Sequence, residues 1–159
     1  MPNYRKTRAV MATLSLMLLS GQQDVPLRAP GRFFATTQGA LKGTIAGNIS
    51  GTSFKDGTRE LYWSLDSTQM MATGTMLSIT VRVPKGSNAA SLVLNSGNTR
   101  LVLETLATHV LSTIAAEGRL EVRGSNLLRG KFSLSSTDKG RPLTLTGTFD
   151  QAPVVPGLD

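Results

Sequence analysis

From Leu41 onward, apolar and polar residues alternate with a period of two. Leu41, Gly43, Ile45, Gly47 and Ile49 share one phase, while Lys42, Thr44, Asn48 and Ser50 share the other. That rhythm sends successive side chains to opposite faces of a strand, with the apolar set inward. It returns at Leu61, Trp63 and Leu65, at Leu77, Ile79, Val81 and Val83, and at Leu120 and Val122. Phe132 with Leu134, and then Leu143, Leu145, Gly147 and Phe149, complete it. Turn chemistry punctuates the repeats. Asp56-Gly57 predicts a hairpin turn, Pro84 to Ser87 stops a strand, and Asp138-Lys139-Gly140 leads into the last repeat. Asn95 to Asn98 predicts a hairpin joining Leu92–Leu94 to Leu101–Leu103. The glycines fall beside Thr or Ser and are expected at strand ends, in turns and bulges.

Leu101 to Ile114 carries two patterns at once. Leu103, Leu106, Ala107, Val110, Leu111 and Ile114 form a helical stripe, yet the Thr content and the neighbouring segments favour two strands. The expected fold is all-β: an antiparallel β-sandwich or small β-barrel of about seven to nine strands, preceded by an N-terminal signal-like helix.

The first 39 residues break this pattern. Met1 to Arg8 is short and basic, Ala9 to Leu19 is an uncharged apolar run, and the chain turns polar from Ser20. A basic stretch, a short apolar core and a small-residue exit is the layout of a secretory signal, and the run is too short for a comfortable membrane-spanning helix. The expected division is a signal-like segment over 1–21, an irregular lead-in with Pro26, Pro30 and Gly31 over 22–39, a β-domain over 40–150, and a loose Pro-containing tail over 151–159. Leu19-Ser20-Gly21-Gln22 has the form of a bacterial lipobox with Gln22 in place of the acylated cysteine, so no lipid can be attached there.

Composition changes this picture in two ways. The absence of cysteine excludes disulfides, thiolate metal sites and a thiol nucleophile. The net charge of +7 includes Arg5, Lys6 and Arg8; without them, fourteen Lys and Arg face ten acids, a mild +4. That excess gives weak attraction to anionic surfaces and does not by itself predict nucleic-acid binding.

The stretch Gly118 to Asp150 carries a family resemblance. Gly118-Arg119-Leu120-Glu121-Val122, Arg129-Gly130-Lys131-Phe132-Ser133-Leu134 and Leu143-Thr144-Leu145-Thr146-Gly147-Thr148-Phe149 resemble the ending of small uncharacterised bacterial envelope proteins of lipoprotein type. Gly43-Thr44-Ile45 and Leu61-Tyr62-Trp63 are similar to that family's opening strands. The resemblance implies an antiparallel β-domain and an envelope compartment, and supplies no activity. The chain departs from the family in lacking the lipobox cysteine.

Candidate chemistry is sparse. His109 is the single histidine, sits among Leu106, Val110 and Leu111, and has no G-x-S-x-G elbow or second strong metal ligand to work with. The carboxylates fall in turns or on the polar phase, and no phosphate-cradling glycine motif occurs. Arg82, Arg100, Arg119, Arg123, Arg129 and Lys131 would make one basic face if their strands were neighbours; solvated strand faces are the expectation. Tyr62 and Trp63 are the candidate ligand-binding residues, at a sheet edge or barrel mouth, against the plainer role of surface aromatic and core plug. No catalytic residue, metal site or cofactor is expected. The expected function is that of an exported, non-enzymatic envelope domain, periplasmic or extracellular, that binds or scaffolds an unidentified envelope protein or small ligand. Nucleic acid is not an expected partner, and membrane contact is expected only through an uncleaved N-terminal segment. The alternatives are a closed-barrel carrier of an apolar ligand and, less favoured, a hydrolase.

Overall fold

The computed structural model describes residues 29–86 and 91–157. The expected signal-like segment over 1–21 lies outside them. The described residues are all-β, with ten strands and one short helix. In chain order these are β1 (Gly31–Gly39), β2 (Gly43–Ser53), β3 (Arg59–Leu65), α1 (Ser67–Thr73), β4 (Thr75–Val83) and β5 (Ser91–Leu94). They continue as β6 (Thr99–Thr105), β7 (Val110–Ile114), β8 (Ala116–Arg123), β9 (Leu127–Ser136) and β10 (Leu143–Pro156).

All ten strands belong to a single sheet in the order β5-β8-β9-β10-β1-β2-β3-β4-β6-β7. Its two ends are tied by very short links. Asn95–Asn98 joins β5 at one end to β6 near the other, and Ala115 alone joins β7 to β8. Links this short force the sheet to curl until its ends approach, giving a half-barrel around one core. The Asn95–Asn98 turn therefore carries the chain across the curl, and β5 and β6 are not a hairpin: β5 pairs with β8, and β6 with β4 and β7. A turn signal fixes where the chain reverses, whereas the partner of each strand is decided by the whole sheet. Leu101–Ile114 resolves as β6 and β7, paired from Leu101↔Ile114 to Thr105↔Val110.

Two boundaries differ from the sequence expectation. The lead-in contains β1, which sits near the middle of the sheet between β10 and β2. Its pattern is regular once Pro30 is passed: Phe33, Ala35 and Thr37 are buried and Arg32, Phe34, Thr36 and Gln38 exposed. The expected loose tail is also structured as far as Pro156. Past Phe149 a β-bulge with Gln151 at φ 53° bends β10, and Val154, Val155 and Pro156 run parallel to Gly51, Thr52 and Ser53 of β2. This is possible because β1 starts only at Gly31, where a Cβ would stand 2.5 Å from the Ala152 backbone nitrogen.

The core is aromatic at its centre. Trp63 lies 5.8 Å from Phe132 and 5.7 Å from Phe149, ring centre to ring centre, and Phe33 lies 6.3 Å from Phe132. Tilted and edge-on contacts of this kind add about 0.5–1.5 kcal/mol each beyond simple burial. In the half of the sheet formed by β8, β9, β10, β1 and β2, the rings face glycines across the strands. Phe149 pairs with Gly130, Phe132 with Gly147, and Phe33 with Gly47. These glycines lie inside strands and not at their ends, as composition alone suggested. Gly130 shows why: a Cβ there would stand 1.9 Å from the Glu121 carbonyl oxygen and 2.8 Å from the Phe149 ring. Glycine lets neighbouring backbones and a ring share one space, which is how curved sheets are built.

Candidate functional site

Gly130 and Gly147, which carry no side chain, line a depression on the outer face of the sheet. The depression is a groove with two connected lobes of about 730 and 480 Å³, sharing Phe34, Glu121, Lys131 and Thr148. By strand register, the outward residues in and around it form three rows that cross the sheet from β8 to β2.

The middle row runs Glu121, Lys131, Thr148, Phe34, Ala46. Lys131 is tied to Glu121 at 3.2 Å, and Phe34 is 56% exposed, a large aromatic ring left on the surface. On one side lies a hydroxyl-rich row of Arg119, Ser133, Thr146, Thr36 and Thr44. On the other side Arg123 faces Arg129 directly across β8 and β9, and Asp150, Arg32 and Asn48 continue the row. The bulge in β10 sets Asp150 and Gln151 opposite Arg129, and the Asp150 carboxylate accepts from the Gln151 amide at 2.8 Å.

The cations of this face are not equivalent. Arg32 donates to Asn48 Oδ1 at 3.0 Å and to Asp66 Oδ2 at 2.8 Å, which fixes its guanidinium. Asp66 is held below the ordinary carboxylate value, first by the Gln69 amide that it caps at the start of α1 and then by the Arg32 guanidinium. Arg119, Arg123 and Arg129, by contrast, have no hydrogen-bond or ion-pair partner among the described residues. Two like charges directly opposite on adjacent strands repel each other, and no ion pair among the described residues offsets this for Arg123 or Arg129.

The basic residues marked in the sequence divide into two groups. Arg119, Arg123, Arg129 and Lys131 share β8 and β9, whereas Arg82 and Arg100 lie on β4 and β6. Tyr62 and Trp63 are placed on opposite faces of β3: Trp63 is 2% exposed in the core, and Tyr62 stands on the outer surface in register with Ser50 and Thr80. The structure does not bring these two side chains together. His109 sits in the β6–β7 turn at φ 51°, exposed, with Nδ1 3.4 Å from Glu104 Oε1. No group of three His, Cys, Asp or Glu side chains that would hold a metal ion occurs among the described residues.

Phe34 and Arg32 went unnoticed in the sequence because they lie beside Pro30 and Gly31. The signal was there in the alternation of Arg32 to Gln38. The interior offers far less room than the groove. A small void beside Trp63, Leu94, Leu120 and Phe132 admits no water-sized sphere. No protein-family model matches this chain, and no curated protein matches it to a significant degree.

Proposed function

We propose that this chain is an exported, non-enzymatic envelope domain that holds its ligand in the outer groove above Gly130 and Gly147. The observation that carries the reading is a contrast of spaces: an outer groove of about 730 and 480 Å³ with an exposed aromatic and three arginines unpaired among the described residues, against an interior filled by rings. A filled interior speaks against the apolar-ligand carrier, which needs a cavity of several hundred cubic ångströms. A rigid sheet face presenting fixed side chains suits recognition of an extended partner. The basic, apolar, then polar layout of residues 1–24 supports export, and the resemblance of Gly118 to Asp150 to envelope proteins supports the compartment.

The test is cosedimentation of the purified domain with isolated bacterial envelopes, comparing the wild type with Thr148→Trp. Thr148 is exposed and belongs to both lobes, so an indole there fills the groove while leaving the core untouched. The wild type is expected to sediment and the variant to stay in solution with an unchanged circular dichroism spectrum. Equal sedimentation of the two, or none by either, overturns the groove reading.

A further inference from the structure

The arginines of the groove are sparse and separated by a carboxylate. On β8 the outward residues run Glu117, Arg119, Glu121, Arg123. Four residues of extended chain set the two arginine Cα atoms about 13 Å apart. A nucleic-acid strand carries a phosphate about every 3.4 Å along a helix, so it would place several negative charges over the interval that Glu121 occupies. The groove also offers one exposed aromatic, where a single-strand binder stacks successive bases on several. A ligand that suits it has widely spaced anionic groups, hydroxyls to meet the threonines, and a flat apolar patch for Phe34.

We propose, resting on the groove reading above, that the ligand is an acidic polysaccharide whose charged sugars are separated by neutral ones. Arg123 and Arg129 together grip one anionic substituent, Phe34 packs against the C–H face of a sugar ring, and Arg119 meets the next charge along the chain. The juxtaposed arginines gain most from such a group, because a bound anion removes their mutual repulsion while forming charge-assisted hydrogen bonds. Lys131 is already neutralised by Glu121 and acts as a wall of the groove.

The experiment is isothermal titration of the domain with a hexasaccharide in which uronate and neutral sugars alternate (the polyuronate), a neutral glucose hexasaccharide, a single-stranded oligonucleotide of equal charge, and vesicles of phosphatidylglycerol with phosphatidylcholine. The polyuronate is expected to bind and the neutral sugar not to bind. The double variant Arg123→Gln with Arg129→Gln is expected to weaken binding about tenfold or more, and Phe34→Ala about fivefold, as lost charge-assisted and apolar contacts require. Tighter binding of the oligonucleotide or the vesicles, or an unchanged polyuronate affinity in the double variant, overturns the proposal. If the polyuronate fails to bind while envelope sedimentation still depends on Thr148, the ligand class is wrong and the groove reading survives. If sedimentation fails as well, both fall.

Discussion

Replacing Arg129 with Gln should make the free protein more stable. Arg129 is directly opposite Arg123 on β9 and β8, both are exposed, and neither has a partner among the described residues. Directly opposed residues in an antiparallel pair have Cα atoms about 4.5–5.5 Å apart. Two unit charges held about 6 Å apart in water repel by ~0.7 kcal/mol, within the range of about 0.2–1 kcal/mol found for cross-strand pairs. At 10 mM salt the screening length is about 30 Å and the repulsion is felt almost in full; at 1 M it is about 3 Å and most of it disappears. Urea denaturation of the wild type, Arg123→Gln, Arg129→Gln and the double variant at both salt concentrations measures it. Each single variant should gain roughly 0.5 kcal/mol at low salt, seen as a higher midpoint at unchanged slope. The double variant should gain little more, since the repulsion is already gone. Arg129→Lys, which keeps the charge, should gain nothing. Singles that lose stability at low salt, or a double variant whose gain is the sum of the singles, would refute the reasoning.

Other parts of the fold give equally direct outcomes. Gly130→Ala should cost at least ~2 kcal/mol by denaturation, because its Cβ meets a backbone carbonyl 1.9 Å away, while Gly140→Ala in the β9–β10 turn, with only Asp138 Oδ1 at 3.4 Å, should fall within ~0.5 kcal/mol of wild type. Trp63→Ala should cost about 3–5 kcal/mol. Trp63→Phe should cost far less, since the indole Nε1 is buried without a partner among the described residues and its removal returns about 1–3 kcal/mol of desolvation against the lost packing; a Phe variant as unstable as the Ala variant would contradict this. Asp66 should titrate below its ordinary 3.8 when followed by the Gln69 amide resonance. A carboxylate depressed in the folded state stabilises the protein above about pH 4, and that stabilisation is lost as pH falls through the folded value. Arg32→Gln should raise the Asp66 midpoint without restoring 3.8, because the Gln69 amide still donates; an unchanged midpoint would show that Arg32 does not act on Asp66.

Most of the strand content was legible in the alternation of residues, because a half-buried strand must show a period of two. β2, β3, β4, β8, β9 and β10 were read in this way, and the Asp56-Gly57 and Asp138–Gly140 turns join strands that do pair. What escaped was long-range. β5 and β6 flank a turn yet pair elsewhere, and nothing within a few residues of Asn95–Asn98 encodes that choice. β1 was hidden by Pro30 and Gly31, although its own alternation is regular, and the end of β10 was hidden by two prolines that a parallel edge pairing accommodates. The short helix α1 left only a local mark, its cap at Asp66 and its end at Gly74.

The groove was legible only as ingredients. Arg119, Arg123, Arg129 and Lys131 were recognisable as outward residues, but their assembly required knowing that β8 and β9 pair with Arg123 opposite Arg129. The mid-strand glycines carried the other half of the signal. Gly130 and Gly147 occupy inward positions where a side chain would be expected, and each faces a phenylalanine on the next strand. Tyr62 and Trp63 drew attention as rare aromatics, whereas the alternation itself sends adjacent residues to opposite faces and leaves Phe34 as the aromatic beside the arginines.

The most direct test of the central claim is an amide chemical-shift map of the full domain titrated with the polyuronate hexasaccharide. Shifts confined to Arg32–Thr36, Arg119–Arg123, Arg129–Ser133 and Thr146–Gln151 are the predicted result. Shifts centred on Tyr62 and the outer surface of β3, or none at saturating concentration, would contradict it.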